Sequence, residues 1–176
     1  MKELIAGKHK EAEDTLFMKT VFAGKMTEEL WADYTYNKTI WYKAIEDKAK
    51  TEGILNNLVG IERFEKLLED YRLSKKYPNS PNVKESSIQY HYYIMGLETD
   101  KVVAHLYTWY MGDLSGGAMI KRIIKSPNSS LDFDNPEELK KNIMLKINEK
   151  HIDEVNIAFD WAIKIMKEYD KDLTNG

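Results

Sequence analysis

The run Tyr110-Met111-Gly112-Asp113-Leu114-Ser115-Gly116-Gly117 sets two local rules against each other. Three of the chain's nine glycines lie in it, yet the residues from Val102 to Ile124 keep the apolar patterning of one continuous helix. A glycine inside a helix costs roughly 1 kcal/mol relative to alanine, so three should weaken or kink the segment unless something there requires bare backbone. Close packing of another helix would require it, and so would a flat ligand lying across the helix surface. Asp113 tilts the choice. A carboxylate among glycines is an expensive desolvated charge in a plain helix crossing, but it is useful beside a polar reacting group.

The rest of the chain limits what that ligand can be. With 176 residues it fits one domain, 1–176, able to bury a core without staples. There is no cysteine, which excludes disulfides, thiolate chemistry, thiolate-bound metal and covalent haem attachment. A net charge of −3 with interspersed signs argues against nucleic acid. Met1-Lys2-Glu3-Leu4 opens no leader, and no window approaches eighteen consecutive apolar residues, so a soluble, cytoplasmic protein without a membrane anchor is expected.

Helical spacing dominates from end to end. All four prolines lie at Pro78 or later. A first helix is expected over 2–22, its inner stripe Ile5, His9, Ala12 and Leu16, with Phe17 and Val21 alongside, ended by Gly24. Thr27 with Glu28 and Glu29 caps a second over 28–50, stopped by Gly53. Further helices are expected over 58–71 and 83–95, separated by a turn at Tyr77-Pro78-Asn79-Ser80-Pro81. Thr99 or Asp100 should cap the glycine helix. Ser126 to Ser130 reads as a polar, mobile loop. Asn135-Pro136-Glu137-Glu138 starts a helical tail to Tyr169, broken near Asn148. The fold class is all-α.

Few residues are left to carry chemistry. There are four histidines, and neither a paired Glu-x-x-His pattern, a Gly-x-Ser-x-Gly elbow nor a phosphate-cradling loop occurs. His9 sits on an apolar stripe, which in most helices means a core histidine satisfied by a hydrogen bond. The rival reading makes it an axial ligand to a haem iron, its second ring nitrogen oriented by an acceptor such as Glu13. His105, Trp109, Gly112 and Gly116 share a stripe of the glycine helix, and a flat ligand between the two helices would account for both anomalies. His105 itself reads as structural.

His9-Lys10-Glu11-Ala12-Glu13 followed by Phe17-Met18 resembles the proximal helix of haem oxygenases, and the run from His105 to Gly117 resembles their distal-helix signature. The resemblance extends through Ala158-Phe159. It implies a helical bundle holding haem between a proximal and a kinked distal helix, and oxidative opening of haem to biliverdin with release of carbon monoxide and ferrous iron. By it His9 is the iron ligand, and no other metal is implied. Gly112 and Gly116, with Gly117 behind them, let backbone lie over the porphyrin, and Asp113 orders water beside the reacting oxygen. Lys2 and Tyr107 match positions that contact haem propionates, as Lys140 or Lys141 does from a later helix.

The chain also departs from the family. Trp109 stands where an arginine is usual, Ala118 where glutamine is common and Ala162 where asparagine often occurs. The hydrogen-bond network behind Asp113 must therefore be arranged differently. Ending at Thr174-Asn175-Gly176 without an apolar tail, the chain is similar to the soluble branch that takes electrons from reduced ferredoxin, whose product can pass to a bilin reductase. Its abundant Lys, Asn and Ile suit an AT-rich genome, a phage's included. A haem-binding or transport protein that keeps His9 without turning haem over is the alternative.

Overall fold

The Thr27 hydroxyl accepts the backbone N–H of Leu30, and from this cap α3 (Glu28–Thr51) runs through the middle of the molecule. The computed structural model describes residues 1–74 and 80–175, and among them every regular element is helical. The other helices are α1 (Lys2–Glu13), α2 (Leu16–Phe22), α4 (Phe64–Leu73), α5 (Glu85–Met95), α6 (Val102–Ile123), α7 (Pro136–Lys146), α8 (Ile152–Glu168) and the short α9 (Asp170–Thr174). α3 packs on α4, α5 and α6, and α8 closes the other side against α1, α5 and α6. Trp41, Tyr42, Tyr90, Tyr110 and Tyr169 are fully buried where these layers meet. No helix among the described residues is long and apolar enough to cross a membrane.

The first segment differs from its expected form. Instead of one helix over 2–22 there are two, because Thr15 leaves the helical register, donates its hydroxyl to Ala12 O at 2.8 Å and accepts the N–H of Met18 as the cap of α2. The break turns Phe17 and Val21 into the core and leaves Leu16 exposed, so Leu16 is not on the inner stripe. α4 also starts later than expected, at Phe64. Leu58 and Ile61 are buried in the turn before it, and its cap comes from α3, where the Glu46 carboxylate accepts the N–H groups of Arg63 at 2.5 Å and Phe64 at 3.1 Å. The turn expected over 77–81 falls largely outside the described residues.

Arg63 is 3% exposed and gathers backbone carbonyls. Its guanidinium donates to Gly60 O, Ile61 O, Glu62 O, Ser130 O and Asp132 O and lies 4.0 Å from the centre of the Phe133 ring. The Asp70 carboxylate accepts the N–H and hydroxyl of Ser129 and the N–H of Ser130. The loop read as mobile is thus fastened at both ends of a 3-10 turn (Ser129–Leu131).

The glycine cluster does not interrupt α6, which is one helix from Val102 to Ile123. Thr99 and Asp100 do not cap it by side chain; they form a 3-10 turn that feeds into it. Pro136 opens α7, and the break near Asn148 is present, where Asn148 and His151 exchange backbone and side-chain bonds in a capping box before α8.

Candidate active site

Splitting α1 from α2 leaves the two helices as one wall of a cavity of about 680 Å³ whose opposite wall is α6. α3 contributes Trp31, Tyr34 and Lys38 to the lining, and α8 contributes Phe159, Ala162 and Met166. The interior is mostly apolar with a few polar groups at set places, the usual composition of a small-molecule site.

His9 projects from α1 into this space. Its side chain is 58% exposed, its ring edge rests on Phe159 with centroids 6.0 Å apart, and Nδ1 lies 3.6 Å from Glu13 Oε1, too far for a hydrogen bond. No hydrogen-bond partner among the described residues satisfies the imidazole, and with its side chain more than half exposed His9 is not a bonded core residue. No group of three or more His, Cys, Asp or Glu able to hold a metal ion exists among the described residues. A single free imidazole suits a metal that brings most of its ligands with it, as iron in a porphyrin does.

Across the cavity, Gly112 and Gly116 both line the space, and a Cβ built on either meets nothing within 4 Å. Their bareness faces the void. Gly117 does a different job from the one expected. It is buried, it is not part of the lining, and its added Cβ would lie 3.4 Å from the Leu131 side chain, so it lets the 3-10 turn pack close behind α6.

Asp113 stands between the two lining glycines with its side chain 12% exposed. Lys38 Nζ lies 2.7 Å from Oδ1 and Tyr42 OH donates to Oδ2 at 2.6 Å. Burial first and the Asp113 charge second hold the Tyr42 phenol far above its ordinary range, so it stays a neutral donor. Both residues belong to α3, a turn apart on its inward side, and sequence reasoning did not find them. The available signal was a single lysine one turn after Tyr34 and one turn before Tyr42 on a stripe otherwise aromatic and apolar.

Trp109, in the arginine's place, donates its only N–H to Tyr90 OH at 3.0 Å and packs on Trp41. Tyr90 in turn donates to His105 Nδ1 at 2.6 Å, and His105 Nε2 donates to Glu154 at 2.9 Å. This order requires a neutral imidazole with its proton on Nε2. Burial pushes His105 down, outweighing the carboxylate's pull, in agreement with that tautomer. Burial raises Glu154, but bonds from His105 and Tyr93 leave it below its usual value. His105 is structural. Lys2 and Tyr107 do line the cavity. Lys140 and Lys141 do not, because α7 turns Leu139 and Ile143 to the core; Lys140 is engaged by Glu137 at 2.9 Å and Lys141 is exposed.

The family model described as Heme oxygenase matches residues 1–143. A heme oxygenase 2 from Macaca fascicularis is 27% identical over 97% of the chain, which spans only 64% of that protein's length. A heme oxygenase from Rhodella violacea is 27% identical over 91% of the chain and 81% of its own length. The fold matches heme oxygenase-1 of the cyanobacterium Synechocystis, a structure solved in complex with heme, at a TM-score of 0.85 and 20% identity, covering 99% of this chain and 92% of that one. A one-histidine cavity walled by a glycine-bearing helix, together with a family match over most of its length, makes this chain a member of the heme oxygenase family.

Proposed function

We propose that the chain binds haem in the cavity between α1 and α6 and opens it oxidatively to biliverdin, using molecular oxygen and electrons from reduced ferredoxin. The observation that carries this is the opposition of an unsatisfied His9 to bare backbone at Gly112 and Gly116, with Asp113 between them. The residues suit the group. The glycines leave open a slot that any side chain would fill, and His9 offers a free ring nitrogen to an iron whose other ligands are the porphyrin's own.

When bound, haem supplies both the redox-active iron and the carbon skeleton that is oxidised. The protein's part is position and protons. His9 would hold the iron from α1, and the Phe159 ring packed against the imidazole would limit its tilt. Gly112 and Gly116, bare toward the cavity, would let the backbone of α6 lie close to the bound group. Asp113, its two oxygens held by Lys38 and Tyr42, would keep lone pairs to order a water beside the bound group and so pass a proton without touching it directly. Lys2 and Tyr107, at the cavity wall, would meet the propionates; burial holds the Tyr107 phenol above its ordinary value, so it would donate as a neutral group. A cytoplasmic setting, with a bilin reductase taking the product, completes the reading.

The test is an absorption time course of the purified protein with one equivalent of hemin, in air, after addition of ferredoxin, its reductase and NADPH, with catalase present. Loss of the Soret band with growth of a biliverdin band is the expected result. A stable Soret band would replace the proposal with haem binding or transport without turnover.

A further inference from the structure

We propose that Lys38 is the positioning residue of the haem-opening reaction, supplying from α3 the fixed positive charge that the family's usual arginine would supply from the position of Trp109. The inference rests on the proposed function for its reaction, but its geometry stands apart. Lys38 is 9% exposed, and taking an ammonium out of water costs several kcal/mol unless a partner is fixed beside it. Its one ion-pair partner among the described residues is Asp113, at 2.7 Å, and its charge also lies 4.8 Å from the centre of the Tyr42 ring. Trp109 cannot do this work, since it carries no charge and its indole N–H is committed to Tyr90.

The three residues divide the task. Lys38 fixes Oδ1 of Asp113, Tyr42 fixes Oδ2, and the carboxylate plane is thereby set with respect to the cavity that both Lys38 and Asp113 line. A carboxylate held by one bond could swing about its Cβ–Cγ axis, whereas one held at both oxygens cannot. Arg63 is the other cation acting on Asp113, through the low-dielectric interior, but its five bonds go to backbone carbonyls and leave the carboxylate's orientation to Lys38. The position of the lysine also explains why α6 tolerates a tryptophan in its signature: the cation has moved to the next helix.

The experiment compares the wild type with Lys38→Met, which keeps the length of the side chain, with Lys38→Arg, and with Lys38→Met/Trp109→Arg, each loaded with hemin. Lys38→Met is expected to bind hemin as the wild type does, to form biliverdin about 10²-fold more slowly, and to lose yield per haem consumed. Its ferric acid–alkaline spectral transition, read without turnover, should move to higher pH because a positive charge has been removed. Lys38→Arg should restore rate and transition midpoint, and so should the double variant if Trp109→Arg is accommodated. A Lys38→Met protein with wild-type rate and midpoint would overturn the proposal, as would Lys38→Arg behaving like Lys38→Met, which would mark the pair as a helix tie only. Should Lys38→Met not fold, Lys38→Gln takes its place with the same expected and overturning results. Should the wild type bind hemin without turnover, the proposed function fails while the transition midpoints still decide whether Lys38 acts on the haem pocket.

Discussion

The two walls of the cavity are built on opposite plans. On the α1 side His9, proposed to hold the iron, is 58% exposed and has no hydrogen-bond partner among the described residues; on the α6 side Asp113 is 12% exposed and bound at both oxygens. A ligand-binding nitrogen has to be free before its ligand comes. A group that orders water has to be rigid before any chemistry starts, because its use lies in not reorganising. The wall whose partner comes from outside is left open, and the wall whose partner is the reaction is finished in advance.

This contrast can be broken at either wall. The largest effect is expected from His9→Ala, which should bring turnover to background and remove the histidine-type spectrum of the ferrous carbonyl complex, while the haem-free protein unfolds within about 0.5 kcal/mol of wild type because nothing is bonded to the ring. An unchanged spectrum would place the iron ligand elsewhere. Asp113→Ala should do the reverse to the empty protein, destabilising it by about 3 kcal/mol in urea unfolding because Lys38 is left buried and unpaired. Loaded with haem, it should bind normally, lose about 10²-fold in biliverdin formation and gain peroxidase-like oxidation of guaiacol.

The glycines sharpen the contrast within α6. Gly112→Ala or Gly116→Ala should stabilise the haem-free protein by about 0.5–1 kcal/mol through helix propensity while reducing haem affinity and turnover, since the added methyl would enter the cavity proposed for the haem. Gly117→Ala should leave haem binding intact and be felt at Leu131. Parallel melting curves and hemin titrations separate the two classes.

The smallest effect concerns pH. Burial holds His105 below the unfolded value of about 6.5, so the unfolded chain binds more protons at acid pH, and the stability from this site is full above about 6.5 and is lost as pH falls below it. The haem-free wild type should therefore lose stability more steeply than His105→Gln between pH of about 6.5 and 5; equal slopes would mean that His105 takes up its proton as readily in the native state as in the unfolded chain.

What could be read in advance was whatever repeats along one helix. The glycine run, Asp113 beside it, His9 on its stripe, the cap at Thr27 and the helix start at Pro136 are all local patterns, and each has a local physical cause. Lys38 and Asp113 are 75 positions apart, and nothing in either neighbourhood names the other. The three glycines look alike in sequence, and only packing against Leu131 separates Gly117 from the two that face the cavity. Thr15 was hidden for a related reason: a hydroxyl within an apolar pattern is tolerated by a helix or ends it, depending on what its backbone meets, here Ala12 O on one side and Met18 N on the other.

Arg63, finally, does for the turn behind α6 what a calcium ion does in many extracellular loops. One positive centre collects five carbonyl oxygens from two stretches of chain, 60–62 and 130–132, and so holds Leu131 against Gly117. The difference is that this cation is covalently part of the polypeptide. No chelator can strip it, no change in ion supply can empty it, and the backing of the distal helix is complete as soon as the chain has folded.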